Sequence, residues 1–328
     1  MLYRRLGKSG LKVSALSLGS WLTFGKQIDD NTAEQLMITA YDRGVNFFDN
    51  AEIYARGESE RVMGRILQKQ GWSRDSYIVS SKVYFGDGGQ KPTQKGLNRK
   101  HIFEACDAAL KRLQVEYLDL YFCHRPDKET PIEETVWAMN DLMRQGKILY
   151  WGTSEWSAQE IMEAHRVAQQ YRLVGPTMEQ PQYNLFHRDK VEVEYKRMYD
   201  TVGLGLTIWS PLASGVLSGK YNEGDPGDTR LSMQGLDWLR ERQLNEDRVR
   251  RTQRLTKEVA RELGISMPQL ALAWCLYNEH VSTVILGASK VKHLKENLSA
   301  VEALDKLTPE VIAQIEAIVE SAPTHPDF

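Results

Sequence analysis

The sequence predicts an α/β fold, a (β/α)8 TIM barrel with an N-terminal β-hairpin cap and a long loop after strand seven. Short apolar and β-branched runs recur roughly every 30 residues over most of the chain, which is the length of one βα unit. The stretches between these runs have helical periodicity. Because strands that alternate with helices form parallel sheets, and eight such units close naturally into a barrel, we expect this architecture. A doubly wound open sheet is the alternative.

Eight apolar runs are the predicted strands, and they centre near residues 15–18, 45–48, 77–80, 118–123, 148–152, 177–179, 204–209 and 283–286. Three intervening segments place apolar residues three and four positions apart and are predicted helices, at residues 32–43, 102–113 and 159–171. Asn31 is the predicted N-cap of the first of these helices. A last amphipathic helix is predicted at residues 309–320, on the outside of the barrel.

Two segments lie outside this repeat. Residues 2–14 contain a Gly-Lys-Ser-Gly turn between two short β-like runs, so we expect a hairpin that covers the N-terminal face of the barrel. Residues 212–246 are rich in Gly, Asp and Arg, and long loops of this kind are usually functional lids or disordered. Because no linker or low-complexity tract interrupts the sequence, residues 1–328 are predicted to form a single domain.

Composition disfavours several classes of protein. The 42 basic and 44 acidic residues give a net charge of −2, without the basic excess of a nucleic-acid-binding protein. The three cysteines suit neither a disulfide framework nor a metal or redox pair, which indicates a reducing, cytoplasmic setting. The apolar runs are far shorter than the roughly 18 residues that span a bilayer, and no signal peptide is recognisable. We therefore expect no direct membrane insertion.

Common phosphate-binding and hydrolytic motifs are absent from the sequence. It contains no G-x-x-x-x-G-K-[ST], H-E-x-x-H, C-x-x-C or G-x-S-x-G segment. The nearest approach to G-x-G-x-x-G begins at Gly203, has Ile208 in place of the third glycine and precedes a predicted strand. Rossmann dehydrogenases, P-loop NTPases, zinc hydrolases and α/β-hydrolases are therefore disfavoured, and no metal site is predicted.

Polar side chains stand where the predicted strands end, at Asp49, Lys82, His124, Ser154, Gln180 and Ser210. In a barrel these ends surround one mouth, where active sites of this fold lie. Taken singly, Asp49 is equally consistent with a helix cap, and Lys82 is more consistent with a solvated loop lysine. Taken together, ionisable groups at a partly closed mouth are costly to desolvate unless they are paired, and a Lys–Asp pair meets that requirement. Tyr54 follows in the loop after the second strand.

These group types suit the reduction of a carbonyl. A tyrosine hydroxyl, with its usual pKa near 10, is a poor acid at neutral pH, and a nearby ammonium lowers that pKa. An aspartate would keep the lysine charged, and a neutral imidazole would donate a hydrogen bond to a substrate oxygen. Because none of these groups is a strong nucleophile, hydride addition fits better than covalent catalysis, and a cofactor must supply the hydride.

The sequence resembles a known family, the aldo-keto reductases, over about residues 2–320. The catalytic tetrad of that family is matched by Asp49, Tyr54, Lys82 and His124. Four sequence segments are also similar to those of the family: Phe47–Tyr54, Trp151–Ser154, Trp209–Leu212 and Leu286–Ser289. Within the family the sequence is similar to the branch that contains the beta subunits of voltage-gated potassium channels, through residues 19–25, 218–221 and 269–275.

The resemblance implies that NADP(H) lies extended across the rim of the barrel. Tyr54 would be the general acid, Lys82 and Asp49 would lower its pKa, and His124 would orient the substrate. The resemblance also implies the residues that bind the cofactor. Asp49 is one of them, Ser154, Gln180 and Trp209 would contact the nicotinamide, and Ser20, Trp21 and Gln27 would line the channel. The residues beside the pyrophosphate would be Ser210, Leu212, Gly215, Ser218, Lys220 and Arg230, and those around the adenosine would be Gly287, Ser289, His293, Glu296 and Asn297.

Three positions depart from the pattern. His124 stands where the mammalian channel subunits have Asn, which favours real turnover. Glu155 replaces an Arg that in those subunits follows the equivalent of Ser154, so the local cofactor contact differs. His293 stands where many aldo-keto reductases place an Arg against the 2′-phosphate, so NAD stays open beside NADP.

Three functions follow for testing. The first is NADPH-dependent reduction of small aldehydes and ketones. The second is that of a regulatory module, similar to the beta subunits of potassium channels, that senses redox state through its cofactor. The third is that of a structural protein that has lost catalysis. The intact tetrad disfavours the third. The resemblance also implies a homotetramer and a channel partner. Trp21, Tyr54, Phe85 and Trp156 are candidate walls of the substrate pocket, under a loop at residues 86–98.

Overall fold

The computed structural model describes residues 1–227, 229–232, 235 and 237–325, with the backbone alone at Arg230. Its β-strands in the described residues are β1 (Tyr3–Arg5), β2 (Lys12–Ser14), β3 (Leu16–Gly19), β4 (Phe47–Asp49), β5 (Ile78–Val83), β6 (Leu118–Cys123), β7 (Ile148–Thr153), β8 (Met178–Glu179), β9 (Gly205–Ile208) and β10 (Val281–Leu286). Strands β3 to β10 pair in parallel in chain order, and β10 returns to β3 to close the barrel. The predicted TIM barrel is confirmed, and the open sheet is excluded.

Helices surround the barrel in the described residues. They are α1 (Asp30–Asp42), α2 (Glu58–Gln70), α3 (Arg99–Leu113), α4 (Ile132–Arg144), α5 (Ala158–Gln170), α6 (Lys196–Thr201), α7 (Asp237–Gln243), α8 (Glu246–Leu255), α9 (Met267–Tyr277), α10 (Val291–Leu298) and α11 (Pro309–Val319). The main apolar core lies between these helices and the outer face of the strands. Within the described residues, no helix combines the length and the apolar character needed to cross a bilayer.

The predicted cap of α1 is wrong. The helix begins at Asp30, and the carboxylate of Asp29 accepts a hydrogen bond of 2.7 Å from the backbone N–H of Thr32. Asn31 therefore lies inside the first turn. Both residue types are good caps, and the choice depends on where the preceding chain turns, which periodicity does not reveal.

The N-terminal hairpin closes the bottom of the barrel, as predicted. Strands β1 and β2 pair antiparallel. Leu6, directly after β1, and Val13, within β2, pack against inward-facing side chains of the barrel strands at Phe47, Ile78, Leu120, Phe122 and Met178. Gly7 in the turn has φ of 54°, and a Cβ there would lie 2.2 Å from the carbonyl oxygen of Gly203. The hairpin can therefore approach the barrel this closely only with glycine at that position.

The segment after β9 is partly helical rather than a plain loop. It contains short 3-10 turns at Ala213–Ser218 and Arg230–Ser232 and the helix α7. Trp238 on α7 is exposed over 55 % of its surface and still lines the cleft described below. This segment thus covers one side of the mouth of the barrel.

Candidate active site

The barrel brings Asp49, Tyr54, Lys82 and His124 to one end. Asp49 ends β4, Lys82 lies near the end of β5, and His124 directly follows β6. These are adjacent strands, so their carboxyl ends lie side by side. The sequence analysis placed the end of this strand at Lys82, and β5 ends one residue later, at Val83.

The ammonium of Lys82 connects the aspartate to the tyrosine. Its Nζ donates to Oδ2 of Asp49 at 2.6 Å, to the backbone oxygen of Asn50 at 2.7 Å and to the hydroxyl of Tyr54 at 3.2 Å. The Lys82 side chain is 0 % exposed, so it lies beneath the cleft rather than in its wall. All three donors of the ammonium are used, which fixes the Tyr54 hydroxyl relative to the charge.

Asp49 is held from three sides and caps no helix. Besides Lys82, it accepts hydrogen bonds through Oδ1 from Ser80 at 2.8 Å and from the Nε2 of Gln180 at 3.2 Å. Gln180 also donates to Thr207 at 3.3 Å. Because a buried carboxylate is costly unless it is paired and hydrogen-bonded, these contacts offset the burial of Asp49.

Burial raises the pKa of Tyr54 above its ordinary value, and this outweighs the lowering effect of Lys82. Burial by itself would lower the pKa of Lys82, but Asp49 and Tyr54 reverse this, and the net pKa is raised. As expected, Lys82 acts to lower the pKa of Tyr54, but the net pKa of the tyrosine is still raised because burial has the larger effect. At neutral pH the site therefore holds a charged lysine beside a protonated phenol.

Burial, together with Lys82 and Arg125, holds the pKa of His124 well below its usual range. The imidazole is therefore neutral at neutral pH and can donate only one hydrogen bond. Its Nδ1 is buried and has no hydrogen-bond partner in the described structure. The ring stands nearly perpendicular to those of Tyr54 and Phe85, at centroid distances of 5.9 Å and 5.1 Å.

A cleft of about 1030 Å³ runs from this site across the rim of the barrel to the start of α10. The predicted cofactor residues that line it are Trp21, Gln27, Asp49, Ser154, Gln180, Trp209, Ser210, Leu212, Gly215, Ser218, Lys220, Gly287, Ser289, His293, Glu296 and Asn297. Ser20 does not line it, because it is buried and its hydroxyl donates to the backbone oxygen of Asp49 at 3.0 Å. The side chain of Arg230 lies outside the described part of the chain.

Glu155 fixes the orientation of Trp209. Its Oε1 accepts hydrogen bonds from the indole Nε1 at 3.0 Å and from the backbone N–H of Gln182 at 2.6 Å. Its Oε2 pairs with the ammonium of Lys190 at 3.2 Å. Burial raises the pKa of Glu155, but Lys190 and the backbone donor outweigh it and lower the net pKa, so the carboxylate stays charged. The replacement noted in the sequence therefore has a structural role at the tryptophan.

The far end of the cleft meets the N-terminus of α10. Lys290 precedes this helix, and no side chain caps its first turn. Uncapped amide groups and the helix dipole favour an anion there. Lys290 and His293 both line this end of the cleft.

Several cleft residues were missed by the sequence analysis, and one prediction of a wall was wrong. The missed residues include Arg125, Arg261 and Trp238. Arg125 immediately follows His124, so its position in the chain could have drawn attention to it. Trp156 is only 1 % exposed and packs in the core instead of lining the pocket. Trp21, Tyr54 and Phe85 do line the cleft.

Comparison with known proteins agrees with this architecture. A family model described as "Aldo/keto reductase family" matches residues 15–320. The chain belongs to the aldo/keto reductase family. It is 52 % identical over 324 residues, 98 % of each chain, to a protein of Oryza sativa subsp. japonica named "Probable voltage-gated potassium channel subunit beta". It is 50 % identical to an Arabidopsis thaliana protein of the same name over 328 residues, covering 100 % of this chain and 99 % of the relative.

Proposed function

We propose that this aldo/keto reductase reduces aldehydes and ketones to alcohols with NADP(H). The observation that carries the proposal is the position of the Lys82 ammonium, 2.6 Å from Asp49 and 3.2 Å from the hydroxyl of Tyr54, beneath one end of a long cleft. Within the described residues, no group of three or more His, Cys, Asp or Glu is placed to hold a metal ion. The proposed chemistry relies on the tyrosine and the cofactor.

The cleft fits a dinucleotide. Its volume of about 1030 Å³ is at the upper end of the usual range for small-molecule sites, as a dinucleotide and a small substrate together require. Polar groups of Ser154 and Gln180 lie at the catalytic end, and the uncapped start of α10 lies at the other. The positive charge of Lys290 at that end supports NADP over NAD. Bound NADPH would supply the hydride that adds to the carbonyl carbon.

The residues of the chain would handle the carbonyl oxygen. His124, neutral because its pKa is lowered, would donate a hydrogen bond that orients this oxygen. Tyr54 would transfer its hydroxyl proton to the oxygen as negative charge develops there, and Lys82 would stabilise the phenolate that remains. Asp49 would keep Lys82 charged and in position. Trp21, Phe85 and Trp209 would exclude water from the reacting groups.

Steady-state oxidation of NADPH with 4-nitrobenzaldehyde and methylglyoxal, repeated with NADH, tests the proposal. We expect turnover that requires Tyr54 and is faster with NADPH. Tyr54→Phe removes the acid, and Tyr277→Phe is a matched control, because Tyr277 is 47 % exposed at the end of α9. Turnover that survives Tyr54→Phe unchanged would contradict the assignment of the acid.

A second function is supported by the near full-length identity to two proteins named as probable beta subunits of a voltage-gated potassium channel. In this role the protein would act in the cytoplasm as a homotetramer bound to a channel and would respond to the redox state of its cofactor. Co-purification with a voltage-gated potassium channel, and mass photometry of the purified protein, test the partner and the tetramer. A monomer that binds no channel would leave the reductase as the sole function.

A further inference from the structure

Arg125 places an unpaired positive charge at the catalytic end of the cleft. It follows His124, lines the cleft and is partly buried. Its Nη1 donates to the backbone oxygen of His124 at 2.5 Å and to the hydroxyl of Ser154 at 3.3 Å. Its guanidinium carbon is 5.8 Å from the centre of the Phe85 ring. Among the described residues, no carboxylate forms an ion pair with Arg125, and no group accepts a hydrogen bond from its Nε or Nη2.

The acidic groups of the cleft do not balance this charge. Of the described residues that line the cleft, Asp49 and Glu296 are the acidic ones. Asp49 is neutralised by Lys82 at 2.6 Å, and Glu296 lies on α10 at the opposite end. Arg125 helps to lower the pKa of Glu155, but the ion pair of that carboxylate is with Lys190, at 3.2 Å. A partly desolvated cation without an ion pair of its own is costly, so the site favours a ligand that brings a negative charge.

A side cavity next to Tyr54 carries two further cations. This cavity, of about 470 Å³, shares Trp21, Ile53 and Tyr54 with the main cleft and is also lined by Lys26 and Arg56. Within the described chain no acidic residue lines it. Both cations are exposed and form no ion pair with the described residues. Loops after β3, β4 and β6 thus contribute positive charge around one reacting centre.

We propose that the substrate is a carbonyl compound that carries a carboxylate, and that Arg125 binds the carboxylate while the carbonyl lies against Tyr54 and His124. The proposal rests on the reductase function and names the substrate class of the same site. The planar guanidinium offers parallel N–H donors that match a carboxylate. Phe85, next to both His124 and Arg125, would pack against the apolar part of the substrate. Lys26 and Arg56 would attract the anion from solution.

Two aldehydes that differ mainly in charge test the subsite: 4-carboxybenzaldehyde and its neutral ester, methyl 4-formylbenzoate. We expect the wild-type kcat/KM to favour the carboxylate by about tenfold or more, because a charge-assisted hydrogen bond is worth at least that factor. Arg125→Met should bring the ratio of the two kcat/KM values near one, and Arg125→Lys, which keeps the charge without the planar fork, should give an intermediate ratio. A Lys26→Met/Arg56→Met variant should lower the ratio less and weaken its dependence on salt.

Arg166→Met is the matched control, because Arg166 is an exposed cation on α5 that bonds Gln170. Its ratio should equal that of wild type. A wild-type ratio of one or less, or an unchanged ratio in a folded Arg125→Met variant, would overturn the proposal. Thermal melts establish that the variants are folded.

Calorimetric binding of the two product alcohols, 4-(hydroxymethyl)benzoate and its methyl ester, separates the subsite from the reductase function. We expect the acid to bind the cofactor-saturated wild type more tightly than the ester does, and Arg125→Met to remove that difference. Charge-selective binding without turnover of either aldehyde would retain the subsite and reject the reductase. Turnover without charge selectivity in either rate or binding would retain the reductase and reject the carboxylate subsite.

Discussion

The indole Nε1 of Trp209 donates a 3.0 Å hydrogen bond to the carboxylate of Glu155, whose backbone has the left-handed φ of 59°. Lys190 supports the same carboxylate, and its Nζ also donates to the backbone oxygen of Glu155 at 2.8 Å. On its other side Trp209 meets Trp21 edge to face at 6.3 Å. The tryptophan is therefore fixed from two directions at the point where we place the nicotinamide.

Removing the Glu155 carboxylate should weaken cofactor binding. Glu155→Gly suits the left-handed backbone and deletes the acceptor of the indole, so we expect NADPH affinity to fall by about tenfold. Glu155→Gln keeps an acceptor for the indole and the Gln182 amide and loses the pairing with Lys190, so its affinity should fall less. Titration of NADPH fluorescence measures both. Equal affinity in Glu155→Gly and wild type would show that Trp209 needs no such support.

The buried pair of Lys82 and Asp49 should be far more costly to break than to replace. Lys82→Met leaves the carboxylate of Asp49 buried without its cation, and we expect the free energy of unfolding in urea to fall by about 3–5 kcal/mol. A Lys82→Met/Asp49→Asn variant removes both charges and should recover part of that loss. Neither variant should reduce carbonyls. A double variant as unstable as the sum of its single variants would contradict this coupling.

Acid should destabilise the protein partly through His165. Burial, together with Lys8, lowers the pKa of His165 from 6.5 to about 4. Between these values the unfolded chain binds a proton that the folded chain does not, so stability falls as pH decreases from 6.5 to 4 and is unaffected above that window. The full effect is about 3 kcal/mol. Urea unfolding of His165→Gln should show a shallower decline with falling pH; a slope equal to that of wild type would exclude this residue as the cause.

Lys220 should contribute to cofactor affinity more than to the chemical step. It lines the cleft beside Gly215, where a Cβ would lie 2.7 Å from its Nζ. Lys220→Ala should raise the Kd for NADPH several-fold and leave the rate of bound-state hydride transfer nearly unchanged. Lys292→Ala removes a cation of α10 that does not line the cleft and should change neither. A Kd unaltered by Lys220→Ala would remove this lysine from the cofactor site.

Much of the fold was predictable because its signals are local. The runs that became β6 and β7, the hairpin turn and the polar residues that follow the strands are all legible in the order of residue types. Parallel closure then places Asp49, Lys82 and His124 together, without any further information from the sequence. The family resemblance adds roles for these residues, and the structure supplies the hydrogen bonds between them.

The remainder depends on contacts between distant residues and on burial. The bond from Trp209 to Glu155 joins positions 54 residues apart, and no pattern of residue types predicts it. The net pKa of Tyr54 depends on how far burial outweighs Lys82, which cannot be judged without the surrounding atoms. Trp156 belongs to the core for the same reason, since an aromatic residue after a strand can face either the mouth or the outer helices.

Single-turnover oxidation of enzyme-bound NADPH by 4-nitrobenzaldehyde, in wild type and in Tyr54→Phe, tests the central claim most directly. A positioned general acid contributes about 100-fold or more, so the rate should fall by at least that factor while NADPH affinity stays within about twofold. Equal rates in the two proteins, with the cofactor bound in both, would contradict the assignment of Tyr54 as the proton donor and with it the proposed reductase mechanism.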